Sequence, residues 1–267
     1  MSKKLYISLS FDDGRVDNYI NVLPILERYR LKATIHIISG YIDGTYHNKL
    51  ASSPGPCSIN QLLEMKEKGF EISLHGDMHI TEKDDYNTCV KKLKGWKLIE
   101  NKYGFSIPHS DETKLTNDFI KNLKTTETKY IRTGKNLKKI NIKYKLLYLL
   151  SVAFSSKYFF NLYNDINVNK INEINSMLLH SIVVKKNTKW KMIKNLIDKR
   201  KNKSEWIILM FHSVLEEKDP LYNESDWAWS IENFERLCEY LFKLQNSNEI
   251  VVDTIINIVK KGDNNEL

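Results

Sequence analysis

Apolar residues recur along this chain in two alternating rhythms. At the start they fall on every second position, with Leu5, Ile7 and Leu9 set against Tyr6, Ser8 and Ser10, the period of a strand with two unlike faces. Over residues 18–29 the spacing becomes helical, carried by Val22, Leu23, Ile25 and Leu26, with Pro24 marking a first turn or a kink. The alternation continues. Residues 33–38 are apolar and β-branched and predict a second strand, within which the lone His36 reads as structural. Residues 40–56 are rich in Gly, Ser and Pro and predict a loop. Ser58 and Gln61 are spaced as a capping box for a helix ending at Gly69, and residues 70–74 form a third strand. A helix is expected over about 81–103, closed by Gly104, then strands over 105–107 and 129–133 around a helix at 113–123. Residues 177–184 and 206–211 predict strands, 189–200 a helix. Ser230 caps a helix bearing Phe234, Leu237, Leu241 and Leu244 on one face, followed by a strand at 250–252 and a helix at 254–261. Strands alternating with helices from end to end imply an α/β fold built on a parallel sheet with helical crossovers, closed or nearly closed. No linker or repeat divides residues 1–267, so one domain is expected, with an irregular apolar and basic insertion at about 138–174.

Composition narrows this little. With 42% hydrophobic and 28% charged residues among 267, the chain is of soluble globular type and of ordinary length for a barrel. The net charge of +8 is spread through the sequence. It reads as solvated surface first and as attraction to anionic substrates or membranes second. With the charge diffuse and no base-reading motif, nucleic-acid binding is not expected. Cys57, Cys89 and Cys238 are odd in number and far apart, which argues against a disulfide framework and for a reducing compartment. The chain runs from Met1 into its first strand without an apolar leader, so a cytoplasmic location is expected.

The first strand ends in Asp12, Asp13 and Gly14. Adjacent carboxylates repel unless a cation or proton lies between them, and Gly14 allows a sharp turn. The triplet is either an Asx-type turn or a pair of acids delivered to a site, one as metal ligand and one as base. His75 and His79 follow the third strand in an HxxxH spacing that would set both imidazoles on one side of a helical turn. Two surface histidines arise at this spacing by chance. Beside a strand-end carboxylate, however, a His-His-Asp set makes an open metal site of zinc type, able to acidify water and polarise a carbonyl. His212 ends the apolar strand IILMF and is either structural or a general acid, since imidazole titrates near neutrality. These residues all lie just past strand C-termini, where barrels of this kind assemble chemistry.

SFDDG, the HGDMH segment, Phe105 to Pro108 and LMFH occur in the order found in polysaccharide deacetylases. The sequence resembles that family, the NodB-homology type of carbohydrate esterase family 4, over about residues 5–259. The resemblance implies a deformed (β/α)7-type barrel and metal-dependent removal of acetyl groups from N-acetylated sugars. It implies Asp12 as base, Asp13, His75 and His79 as metal ligands, His212 as the acid, and the backbone N–H of His109 as an oxyanion donor. Three departures stand out. Gly76 replaces the usual Ser or Thr after the first His. Ser106 and His109 stand where Arg and Tyr are usual in the third motif. The Asp and Trp that tune the catalytic His are not recognisable, Asp165 being a weak candidate. Arg132, at the end of the next strand, is either a surface residue or the supplier of the missing guanidinium to the catalytic group.

Two stretches keep two readings each. Leu146, Leu147, Leu149, Leu150, Val152, Phe154, Phe159 and Phe160, led in by Lys138, Lys139, Lys143 and Lys145, either pack on the barrel or a subunit interface or form an interfacial segment at the membrane's inner face. Trp227 and Trp229 either cover the barrel mouth or form a sugar-stacking wall. The expected function is a divalent-metal-dependent de-N-acetylase acting on a lipid- or nucleotide-linked sugar or small glycoside in surface polysaccharide or lipopolysaccharide synthesis. Zn2+ is the default ion, and Co2+, Ni2+ or Mn2+ also fit. The alternatives are an O-acetyl, other N-acyl or formyl hydrolase on the same fold, or an inactive carbohydrate-binding homologue.

Overall fold

A computed structural model describes residues 4–134, 142–171 and 177–263. In chain order the elements are β1 (Leu5–Phe11), α1 (Leu23–Arg28), β2 (Ala33–Ile37), α2 (Ser39–Asp43), α3 (Ile59–Glu67), β3 (Glu71–Leu74), α4 (Lys83–Gly95), β4 (Tyr103–Ser106), α5 (Asn117–Thr125) and β5 (Thr128–Thr133). There follow α6 (Ile142–Ala153), α7 (Lys157–Asn164), β6 (Asn169–Lys170), β7 (Leu178–His180), β8 (Ile182–Val183), α8 (Trp190–Asp198), β9 (Glu205–Phe211), β10 (Ser213–Leu215), β11 (Ala228–Ser230), α9 (Ile231–Asn246), β12 (Ile250–Val252) and α10 (Ile255–Asp263).

Pairing runs in parallel from β9 through β1, β2, β3, β4 and β5 to β7. Ser181 then bends the chain, and β8 pairs in parallel with β9. A single kinked strand thus joins the two ends of the sheet and closes a barrel of the expected (β/α)7 type. The barrel is deformed where β12 pairs with the first half of β1, while β2 pairs only with its second half.

The alternation in β1 has a direct consequence. Leu5, Ile7, Leu9 and Phe11 are fully buried in the large apolar layer shared with the surrounding helices, leaving the alternate positions to the other face of the strand. On that face the Trp206 indole donates to Ser8 Oγ at 3.1 Å, and Ser10 Oγ lies 3.2 Å from His36 Nδ1. A second cluster of Tyr130, Leu179, Trp206, Ile208, Ile255, Ile256, Ile258 and Val259 fills the opposite end from the site, with α10 as its plug.

Several expected elements are redrawn. The helix expected to run to Tyr103 stops at Gly95, and Gly104 lies inside β4. A Cβ there would stand 1.9 Å from the Tyr130 ring, so the glycine makes room for an aromatic neighbour and does not cap a helix. The first helix begins as a π-helical turn, Asn18–Val22, before α1. The capping box of α3 is formed in both directions. The insertion contains two helices, α6 and α7, and Asn161 Nδ2 ties α7 to Asn195 Oδ1 of α8 at 2.8 Å. Its expected edges, including Lys138 and Lys139, lie outside the described residues. The three cysteines are buried thiols.

Candidate metal centre and catalytic site

The strand register gathers the site. Phe11 pairs with Phe211, Ile37 with Leu74, and Ser106 with Arg132, so Asp12, His75, Arg132 and His212 all emerge at the same barrel end. Asp12 N–H donates to Phe211 O at 3.0 Å, which fixes the first motif beside the last.

Asp13, His75 and His79 each offer a ligand atom, and these atoms lie within 4.8 Å of one another. The residues are buried. His75 Nδ1–H donates to the Ser106 carbonyl at 2.9 Å, which leaves its Nε2 bare and aimed into the site. That Nε2 faces His79 Nε2 at 3.2 Å; two lone pairs at this distance repel unless a cation or proton lies between them. His79 Nδ1 has no hydrogen-bond partner. Burial pushes His75 down to about 4, against the pull of Asp13, and His79 down to about 3 with help from His75. Both are therefore neutral imidazoles, the form that ligates metal. Burial disfavours the Asp13 carboxylate too, but the Arg15 guanidinium and the surrounding histidines outweigh it and hold the acid well below the usual range. Asp13 itself sits at φ 77, a left-handed conformation that a non-glycine residue holds only when its surroundings enforce it. This donor set fits a divalent ion with room for further ligands.

The HxxxH segment does not form the helical turn that its spacing predicts. Residues 75–80 form a bend in which Gly76 has φ +84 and His79 φ +56, and it brings the two rings to a centroid separation of 4.7 Å. Asp85, in the first turn of α4, organises this loop. Its carboxylate accepts from Asp77 N–H at 2.9 Å and from Met78 N–H at 2.6 Å. A Cβ on residue 76 would meet Asp85 Oδ2 at 2.4 Å. Gly76 is therefore the counterpart of a loop ordered by an acid from the next helix.

Arg132 is buried in the site. Its Nη2 donates to Asp12 Oδ2 at 2.6 Å and to Ser106 Oγ, and its Nη1 to Ser181 Oγ at 3.0 Å. His36 also backs the acid, with Nδ1 3.7 Å from Asp12 Oδ1 and Nε2 3.2 Å from the Tyr130 hydroxyl. Burial, then Arg132, keeps His36 neutral. Arg15 pairs with Asp13 Oδ2 at 2.7 Å and donates to Ser213 Oγ at 2.9 Å. Sequence reasoning passed over Arg15 and Asp85 and left His36 as structural. A cation one residue after an Asp-Asp-Gly turn was the available signal for the first.

His212 is held by its backbone, whose carbonyl accepts from Asn18 Nδ2 at 2.9 Å; its Nδ1 has no hydrogen-bond partner. Burial lowers it to about 4 against the pull of Asp13. Asp165 is not its tuner, because that carboxylate pairs with Arg200 at the foot of the insertion. The Trp227 ring lies 4.5 Å from the His212 ring, and the His109 ring 4.2 Å from that of His79. Trp229 is different: it is 1% exposed, and its indole N–H donates to Thr188 O at 2.7 Å. It supports the barrel mouth from inside and offers no face to a sugar.

Residues 2–128 match the polysaccharide deacetylase family. This matched stretch is just under half of the chain. YxkH of Bacillus subtilis, named as a polysaccharide deacetylase, is 32% identical over 74 residues, 28% of this chain. The match spans only 23% of YxkH. A family 4 carbohydrate esterase from Streptomyces lividans, solved with acetate, superposes with a TM-score of 0.51 at 11% identity, covering 96% of this chain and 94% of that one. BA3943 of Bacillus anthracis, described as a pseudoenzyme of the same esterase family, gives 0.50 at 11% identity over 96% of this chain and 66% of its own. The last two likenesses carry the barrel over nearly the whole chain. Because one of them is a pseudoenzyme, the fold alone does not decide activity.

Proposed function

We propose that the chain is a divalent-metal-dependent hydrolase that removes the N-acetyl group from an N-acetylated sugar, a precursor of surface polysaccharide or lipopolysaccharide. The observation that carries this reading is the convergence of Asp13, His75 and His79 beside an acid, Asp12, and an imidazole, His212. An ion held by the three ligands, Zn2+ by default, supplies Lewis acidity and an acidified water. Asp12, oriented by Arg132, takes the proton from the attacking water. The proton that Asp12 takes from the water returns through His212 to the leaving nitrogen; because burial disfavours the imidazolium, the ring releases it readily. The N–H of His109, in a turn at φ 56, is assigned to the developing oxyanion. Trp227 offers its ring to the sugar.

Ile142, Leu146, Leu149 and Phe154 are exposed on α6 and its end, close in sequence to exposed Lys143, Lys145 and Lys157. Apolar residues interleaved with cations suit an anionic lipid surface, and we assign peripheral contact with the cytoplasmic membrane face to this helix. Among the described residues no helix is long and apolar enough to cross a membrane. The deciding experiment measures acetate release from N-acetyl and O-acetyl sugars by metal-loaded protein, with Asp12→Asn and His212→Ala beside it. Release from the N-acetyl compound alone, lost in both variants, is expected. Release from the O-acetyl compound alone would change the bond, and release from neither would leave a binding protein.

A further inference from the structure

The insertion does more than cover the barrel. Between α6, α7 and the barrel wall lies a cavity of about 580 Å3, within the range of small-molecule sites. Most of the surface it exposes is apolar, with Leu149, Val152, Phe160, Val183 and Met210 among the lining residues beside polar ones such as Asn164. At its inner end it reaches His109 and Trp227, whose rings lie against those of His79 and His212. At its outer end Leu149 and Val152 are also exposed, so the lining continues into the apolar surface of α6. Lys145 and Lys185 are the cations of the lining; the ammonium of Lys185 lies 4.4 Å from the Trp227 ring centroid.

A purely saccharide ligand has no use for an apolar chamber of this size. The chamber reaches His109 and Trp227, beside the candidate site, at one end and an exposed apolar helix at the other. Resting on the proposed de-N-acetylase reading, the geometry points to a subsite for the apolar aglycone of the substrate: an alkyl or polyprenyl chain joined to the acetylated sugar. The two lysines suit an anionic linker, such as a phosphate ester, between sugar and chain.

The test compares methyl and octyl glycosides of N-acetylglucosamine and an octyl phosphate-linked form, all below their micellar concentrations. Calorimetric binding and acetate release are measured for wild type, Val152→Trp and Leu149→Glu. Wild type is expected to bind the octyl compounds at least about tenfold more tightly than the methyl one, since each buried methylene contributes a few-fold, with the phosphate-linked form tightest. Both substitutions should collapse the octyl-to-methyl ratio toward one. Equal binding of methyl and octyl compounds, or a ratio unmoved by either substitution, overturns the subsite whether or not acetate is released. If octyl binding is strong and sensitive to both substitutions while no compound loses acetate, the subsite stands and the de-N-acetylase reading fails.

Discussion

Arg132 Nη2 donates to both carboxylate oxygens of Asp12, at 2.5 and 2.6 Å, from the strand position paired with Ser106. The guanidinium reaches the acid across the barrel, from β5 to the end of β1, and Ser106 on the neighbouring strand is reduced to an acceptor for the same nitrogen. On the proposed reading this makes Arg132 a positioning residue: it touches Asp12, the proposed base, and orients it.

Arg132→Ser should lower kcat by about 100-fold with KM close to wild type, because the misplacement is felt at the reacting atoms. It should also cost on the order of 3 kcal/mol in urea unfolding, since a buried carboxylate is left unpaired. Adding Ser106→Arg to that variant moves the guanidinium to the paired position on β4. Recovery of at least about a tenth of kcat in the double variant is expected. A role confined to packing would restore stability without kcat.

Gly76 stands where a hydroxyl-bearing residue was expected, and its φ of +84 with Asp85 Oδ2 only 2.4 Å from a built Cβ explains why. Gly76→Thr should therefore destabilise the chain by roughly 1–3 kcal/mol, the cost of a strained backbone. Metal affinity should fall by about tenfold or more as His75 and His79 lose their register. Thermal unfolding and competition with a metal chelator measure the two effects. Asp85→Ala should weaken metal binding by a similar factor, because the amides of Asp77 and Met78 lose their acceptor. Full metal affinity in both variants would contradict the account of the loop.

The fold was legible because its signals are local. Each strand carries its own alternation, and the motif residues sit where those runs end. The helix stop assigned to Gly104 failed because that glycine answers to Tyr130, from a strand more than twenty residues away in sequence. The same holds at the site. Asp12, Asp13, His75, His79 and His212 could be read from short motifs. Arg132 was left open between surface and site, as only the pairing of Ser106 with Arg132 decides it. Asp85 and His36 were missed because their roles exist only in three dimensions, across a helix start and across the barrel. Trp229 was left open between covering the barrel mouth and facing a sugar, and its burial with the indole N–H on Thr188 O, a contact distant in sequence, decides for the first.

Asp12 and Asp13 are adjacent yet are assigned different work, and the difference is measurable. Asp13→Asn removes the only carboxylate among the three ligand residues and should release the metal on dialysis, with activity lost in parallel. Asp12→Asn should keep close to one equivalent of metal while acetate release falls by about 100- to 10,000-fold, the range of a lost general base. Elemental analysis of the dialysed proteins decides it. Metal loss in both variants would make Asp12 a ligand and leave the base unassigned.

Two sets of buried groups pull acid stability in opposite directions. His75 and His212 are lowered to about 4 and His79 to about 3. Between pH 4 and 6.5 the unfolded chain therefore binds protons that the folded chain refuses, and stability falls as pH drops through that window. Glu71 is opposite. Burial, against hydrogen bonds from Tyr130, Ile256 and Thr34, raises it to about 7. Between pH 4.5 and 7 the folded chain keeps a proton the unfolded chain has lost, so stability falls as pH rises. Replacing each group by its neutral counterpart isolates its contribution. The stability of Glu71→Gln relative to wild type should climb from pH 4.5 to 7, and that of His212→Gln should climb from pH 6.5 to 4, each by a few kcal/mol at most. Urea unfolding with a chelator present, which removes the proton linkage of metal binding, gives both differences. Slopes of the same sign in the two variants would show that one of these groups is not buried in the protonation state assigned to it.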